Sequence, residues 1–361
     1  MVTPIHSDVV QDALRSIATI IILPSTDPQE MDNKLSRVID LDETDSFLRE
    51  LSANRIVTLM YQILLRQGST NARHFLPYLR TEVSRIEKLR CFRDALLKKM
   101  SFILDGNGID YVTFKTLNKS GTVGVDIDIM IQYDDFDRCA TLLQNQGFHA
   151  IDDLSKKYAT GFMWGDNPIT LDLHTDLTVL GIRYLSPDSL LSSKRKIRFQ
   201  SSVVSETFNL SVLDEVSDAT VRMAHSVIKE GSVSVADILE PIDLIRRQPD
   251  AIVEYVTKEG LQTAVAVFMK ILTSMHHNPS PKSRIPFYDD EISSLARALV
   301  AQLVRSPRLP MKLPMMLSLV ALFDRLDRNK EMTDYLLLSA YSLKHRRNVQ
   351  QLGQKILSHF V

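Results

Sequence analysis

The sequence predicts an α+β protein: a small mixed sheet between mainly helical N- and C-terminal regions. Two observations predict it. Apolar residues recur at spacings of three and four up to about residue 106, alternate strictly in places between about 108 and 212, and return to helical spacing from Leu213 onward. Glycine numbers only 12 in 361 residues, which suits long helices and few tight turns. The length fits two or three domains of ~100–150 residues each. The changes of period place them at 1–107, 108–212 and 213–361.

The first region is helical by its stripes. Leu48, Leu51, Ile56, Leu59, Met60, Ile63 and Leu64 mark one segment, Thr44–Gln67. Val83, Ile86, Leu89, Phe92, Leu96, Met100 and Ile103 mark another, Thr81–Asp105, which ends at Gly106-Asn107-Gly108. Short strands are then expected at Asp110–Lys115, Val123–Gln132, Gly147–Ile151, Tyr158–Trp164 and Ile169–Thr175, with a helix over Asp134–Asn145. Beyond Leu213 the clearest helices are Leu213–Lys229, Val235–Arg247, Leu261–Met275, Asp289–Val304 and Met311–Asp327, with a last one from about Met332 to His359. Repeated prolines mark linkers at Asn278–Pro286 and Ser306–Pro314.

Composition excludes some classes of function. Lys+Arg total 43 against 44 Asp+Glu, a net charge of −1, with 44% hydrophobic and 24% charged residues. This is neither a disordered chain nor a generally basic nucleic-acid coat. The two cysteines, Cys91 and Cys139, make no disulfide framework and no zinc site, so a reducing compartment is the default. The N-terminus has no basic region followed by an apolar stretch, and the longest apolar run, Ile17–Leu23, stops at Pro24. A spanning helix needs about 20 such residues. The expectation is a cytoplasmic protein with no membrane partner.

The chemistry lies in two strands. In Gly124-Val125-Asp126-Ile127-Asp128-Ile129-Met130-Ile131, alternation puts Asp126 and Asp128 on one face and Val125, Ile127, Ile129 and Ile131 on the other. Two carboxylates so close on an apolar strand repel each other and resist desolvation. A divalent cation removes both problems, and hard oxygen ligands suit Mg²⁺. In Thr170-Leu171-Asp172-Leu173-His174-Thr175-Asp176 the polar side chains again share one face. If the two strands are neighbours, Asp172 becomes a third carboxylate, and three acids can hold two Mg²⁺ ions.

These residues resemble a known family. The Asp-x-Asp strand with a later Asp on another strand is similar to the nucleotidyltransferase superfamily related to DNA polymerase β. Within it, the chain resembles the branch usually called the uncharacterised nucleotidyltransferase family. Its pattern is a strand ending in Lys, then a DID strand, then an LDLH-type strand. Here these are Tyr111-Val112-Thr113-Phe114-Lys115, Asp126-Ile127-Asp128-Ile129 and Leu171-Asp172-Leu173-His174. The likeness extends over about residues 45–275, through Leu142–Phe148, Ala224-His225, Ala236-Asp237-Ile238 and Pro241–Leu244.

The resemblance implies a nucleotidyltransferase-like α/β core and Mg²⁺-dependent transfer of a nucleoside monophosphate, AMP from ATP, to a hydroxyl or phosphate acceptor. The acceptor class (small molecule, protein or RNA) stays open. Asp126, Asp128 and Asp172 would hold the metals, with Asp172 helping to deprotonate the acceptor. Lys115, Thr116, Ser120, Gly121 and His174 would face the nucleotide. The chain departs from the pattern in having Lys115-Thr116 for Lys-Gly, no Gly-Ser or Gly-Gly pair, and no Arg before DID. Lys119, Ser120 and Gly121 are the residues left to contact phosphate there.

Each feature also has a plainer reading. The Asp pair suits a solvated edge strand, and Lys115 is one of many basic strand ends. His174 can orient Asp172, contact phosphate or satisfy a local hydrogen bond. His225, between Ala224 and Ser226, reads first as a core histidine. The run Lys194-Arg195-Lys196 with Arg198 reads as a solvated face before it reads as a nucleic-acid contact. Trp164 reads as packing. From another class comes a catalytically silent nucleotidyltransferase-like binding or regulatory module, which the altered phosphate-loop residues favour.

Overall fold

The computed structural model describes residues 6–22, 28–118, 121–151, 158–179, 182–201, 207–274, 294–303 and 309–328. Lys119, Ser120, the expected linker at 278–286 and the expected last helix at 332–359 lie outside the described residues.

The N-terminal region is α1 (His6–Ile22), α2 (Pro28–Asp40), α3 (Thr44–Ala53), α4 (Val57–Gln67) and α5 (Thr70–Gly106). The single helix expected over 44–67 is two. The chain turns at Asn54-Arg55, where Arg55 takes φ +55° and the Asn54 amide donates to the Glu50 carbonyl at 2.9 Å. Both sides of the break keep apolar stripes, so periodicity alone runs across it. Helix α5 starts well before Thr81. Ser69 caps it by accepting from the Ala72 N–H, and Pro77 lies inside it.

The middle region gives β1 (Tyr111–Phe114), β2 (Asp126–Ile131), a 3-10 turn, α6 (Phe136–Asn145), β3 (Phe148–Ala150), β4 (Ala159–Trp164), β5 (Thr170–His174), β6 (Leu177–Val179), β7 (Ile182–Leu185), α7 (Pro187–Ser192), β8 (Lys194–Gln200) and β9 (Thr207–Leu213). The last five were not foreseen as elements. Seven of the strands form one sheet in the order β3-β4-β5-β2-β1-β9-β8. Neighbours are antiparallel except β2–β5 and β1–β9, which are parallel. The fold is therefore α+β with a mixed sheet, as expected.

The C-terminal region continues with α8 (Glu215–His225), a π-helical turn (Ser226–Glu230), β10 (Ser232–Val233), α9 (Val235–Arg247), α10 (Pro249–Glu259), α11 (Gln262–Ser274), α12 (Ser294–Leu303), β11 (Met311–Lys312) and α13 (Met315–Arg328). Asp214 caps α8, and a capping box of Ser234 and Asp237 starts α9. No helix among the described residues is long and apolar enough to cross a membrane.

Strand alternation sorts the sheet into two faces with different cores. Tyr111, Ile127, Ile129, Ile131, Leu171 and Leu173 pack with Leu96, Leu97, Met100 and Leu104 of α5 and Phe136 and Leu143 of α6. Val112, Phe114 and Met130 point the other way, into a second core shared with α1–α4 and the C-terminal helices. Val125, expected on the apolar face, precedes the strand and is exposed. Pairing with β1 stops at Asp128–Phe114, so the pleat that would have buried Val125 does not reach it.

Candidate metal and phosphate site

The register of β2 on β5 sets Asp128 opposite Asp172 and Met130 opposite His174. Because these strands are parallel neighbours, Asp126, Asp128, Asp172 and His174 share one face. Asp128, Asp172 and His174 each offer one ligand atom, and the three atoms lie within 4.8 Å of one another. Opposed ligands of a Mg²⁺ ion stand about 4.2 Å apart, twice a bond of about 2.1 Å. The cluster could hold a metal ion once its side chains draw together. Asp126, one strand position outward, stands at the solvent-exposed mouth and is not part of that tight group.

Charge explains the rest of the arrangement. Burial opposes ionisation of Asp128, but the Lys115 ammonium 3.0 Å away and a hydrogen bond with His174 at 2.9 Å outweigh it. Its carboxyl is held well below the usual range. Among the described residues Asp172 makes no such ion pair, although His174 and, more weakly, Lys229 lend it positive potential. Partial burial and the Asp128 charge raise its pKa, although the Thr170 hydroxyl donates to it at 3.3 Å. Asp126 is raised too, first by the protein crowding it and then by Asp128. An added cation would relieve Asp126 and Asp172 and compete with Lys115 for Asp128.

Lys115 is placed by its backbone. It follows β1 in the left-handed region at φ +55°, rare for a residue with a side chain, and its N–H donates to Asp218 of α8 at 2.9 Å. Asp218 is held in turn by Arg222, whose guanidinium also reaches the Asn118 side chain and the Leu117 carbonyl. The loop after β1 is thus tied to α8. Thr116 turns inward and donates to the Phe114 carbonyl at 3.1 Å. Gly121 takes φ +76° and accepts from Arg90 of α5 at 2.8 Å. Both shape the loop. His174 is buried, and its partner is Asp128 rather than Asp172. On the far side of Lys115 and Thr116 a cavity of about 280 Å³ opens, lined among others by Asn118, Arg195, Arg222 and Glu240.

The wall beside Lys115 is built from residues that helical periodicity does not group together. A π-helical turn, with its wider i to i+5 spacing, brings His225 and Glu230 together at 2.9 Å. The other imidazole nitrogen meets the Tyr184 hydroxyl at 2.7 Å, and Lys115 Nζ lies 3.0 Å from His225 Nε2. Burial, then the Lys115 charge, pushes the imidazole down to about 4, so it is neutral at pH 7. The hydrogen bond with His225 takes Glu230 down to about 2. Lys229, on the same turn, lends positive potential to Asp126 and Asp172. A five-residue spacing is invisible to a helix template, and Tyr184 is remote in sequence, so periodicity alone does not mark this wall.

The basic run of β8 is committed elsewhere. Lys194 pairs with Asp110, Lys196 with Asp105 at 3.0 Å, and Arg195 with Glu215 at 3.5 Å. Trp164 stacks on Phe148 and receives Lys99 over its ring. Comparisons with protein-family models, with curated proteins and with solved structures return no match to this chain.

Proposed function

We propose that the chain is a metal-dependent nucleotidyltransferase that moves a nucleoside monophosphate, AMP from ATP, onto a hydroxyl or phosphate acceptor. The observation that carries this reading is the in-register pair Asp128 and Asp172 on neighbouring parallel strands, with a lysine on one of them. Carboxylate oxygens favour Mg²⁺. A bound ion would polarise the phosphate and lower the pKa of an attacking hydroxyl.

The protein's own residues have separate tasks. Asp128 and Asp172 hold the cation, and Asp126 at the mouth adds a third carboxylate. His174 fixes the Asp128 carboxylate by hydrogen bonding to one of its oxygens. Lys115 offers a compact positive charge to the triphosphate. Asp172, on the neighbouring strand, is the carboxylate placed to orient the acceptor hydroxyl beside the cation.

One observation favours a second reading. The Lys115–Asp128 ion pair neutralises the most buried carboxylate of the cluster without any metal, as a silent binding or regulatory module would require. A thermal-shift titration separates the two. Stabilisation that needs both ATP and Mg²⁺ and is absent from Asp172→Asn supports the enzyme, since a ligand bound only to the folded state raises its stability. No response in either protein supports the module. Incubation with each labelled nucleoside triphosphate and a cell extract then identifies the acceptor fraction.

A further inference from the structure

We propose that the Lys115 ammonium is a displaceable counter-cation of the carboxylate site, and that His225, with Tyr184 and Glu230 behind it, positions it for that exchange. The inference rests on the metal-binding reading above and deepens it by stating what a metal must move.

The first ground is occupancy. Lys115 Nζ lies 3.0 Å from Asp128 Oδ2, and Asp128 is one of the three residues that converge as cation ligands. An ammonium and a divalent cation on the same carboxylate repel each other strongly in so dry a place. The second ground is a waiting partner. The Lys115 side chain is only 15% exposed, so a displaced ammonium still needs an acceptor within the protein. His225 Nε2 lies 3.0 Å from Nζ, and Glu230 Oε1 lies 2.9 Å from that same nitrogen.

The third ground is that His225 cannot satisfy both neighbours at once. A neutral imidazole nitrogen carries either a lone pair or a proton. With a lone pair, Nε2 accepts from Lys115. With a proton, it donates to Glu230. The Tyr184 hydroxyl at Nδ1 can donate or accept, so it follows either tautomer. The wall therefore has two satisfied arrangements, one with the ammonium on Nε2 and off Asp128, and one with Nε2 donating to Glu230 and the ammonium on Asp128. The backbone of Lys115 is pinned by Asp218, which confines the exchange to the side chain.

The test is titration of the full chain with Mn²⁺ alone, following loss of the free-ion paramagnetic resonance signal. Lys115→Met is expected to bind Mn²⁺ about tenfold or more tighter than wild type, because a like charge has gone. His225→Gln is expected to weaken binding several-fold in the wild-type background and to change it less than about twofold in the Lys115→Met background, because its effect runs through the lysine. If His225→Gln does not fold, Tyr184→Phe carries the same comparison. Equal Mn²⁺ affinity in wild type and Lys115→Met overturns the exchange while leaving the metal site standing. An equal loss from His225→Gln in both backgrounds overturns the positioning role. Absence of Mn²⁺ uptake by wild type and Lys115→Met alike overturns the metal reading and the exchange with it.

Discussion

Two conservative substitutions, Asp128→Asn and Asp172→Asn, are expected to change stability in opposite directions when no metal is present. Asp128 is the partner of a Lys115 ammonium that is mostly shielded from water, and it also binds His174. Removing one member of such a buried pair costs about 3–5 kcal/mol. The same change ends the repulsion with Asp172, whose ligand oxygen lies within 4.8 Å. At effective dielectric constants between that of water and that of a protein surface, this returns roughly 1–3 kcal/mol. The net expectation is a loss of about 2 kcal/mol. Asp172→Asn ends the same repulsion and strands no cation, and the new amide oxygen still accepts from Thr170. A gain of about 1 kcal/mol is expected. Urea unfolding at pH 7 in EDTA measures both. A shift of both variants in the same direction would show that Lys115 does not neutralise Asp128 selectively, and the charge assignment of the site would fail.

Three further outcomes are expected. His225 has its pKa lowered from 6.5 to about 4 in the folded state, so the unfolded chain takes up its proton first. The stability it contributes is complete above pH 6.5 and is lost as pH falls toward 4, by an amount on the order of 3 kcal/mol. His225→Gln should flatten that part of the pH–stability curve, and an unchanged slope would refute the neutral imidazole. Ser234→Ala removes the cap of α9 and a partner of Arg55, for a loss of about 1 kcal/mol in urea unfolding. Gly121→Ala forces a side chain onto φ +76° with its Cβ 3.3 Å from Thr58, and a loss of about 1–2 kcal/mol is expected; a neutral result would mean the loop relaxes freely.

The strands that carry the acids were legible because alternation of Asp with Ile or Leu is a two-residue signal, and the parallel pairing of β2 with β5 supplied the convergence that spacing alone leaves open. The condition on which Asp172 was expected beside Asp128, that the two strands be neighbours, is met by the register. Lys115 was legible as a position but not as a conformation, since its left-handed backbone depends on Asp218, remote in the chain. The β6–β7 and β8–β9 hairpins were missed. Strand β8 reads as a charged run because its outward residues are Lys and Arg with acids as partners on other elements, and its apolar residues are few. His225 was read first as core, and it is buried. Its partners Tyr184, Lys115 and Glu230 come from a strand, a loop and a π-helical turn, none of which a helical period reveals.

Helix α5 runs from Thr70 to Gly106, about 55 Å at 1.5 Å per residue. Its first half buries Phe75 and Leu79 among the N-terminal helices, and its second half forms the floor under β1, β2 and β5. Midway, Arg90 grips the Gly121 carbonyl and the Phe92 carbonyl accepts from Asn167 just ahead of β5. One rod thus braces the approaches to both acid-bearing strands. A fragment starting at the sheet would lose that brace on both approaches at once.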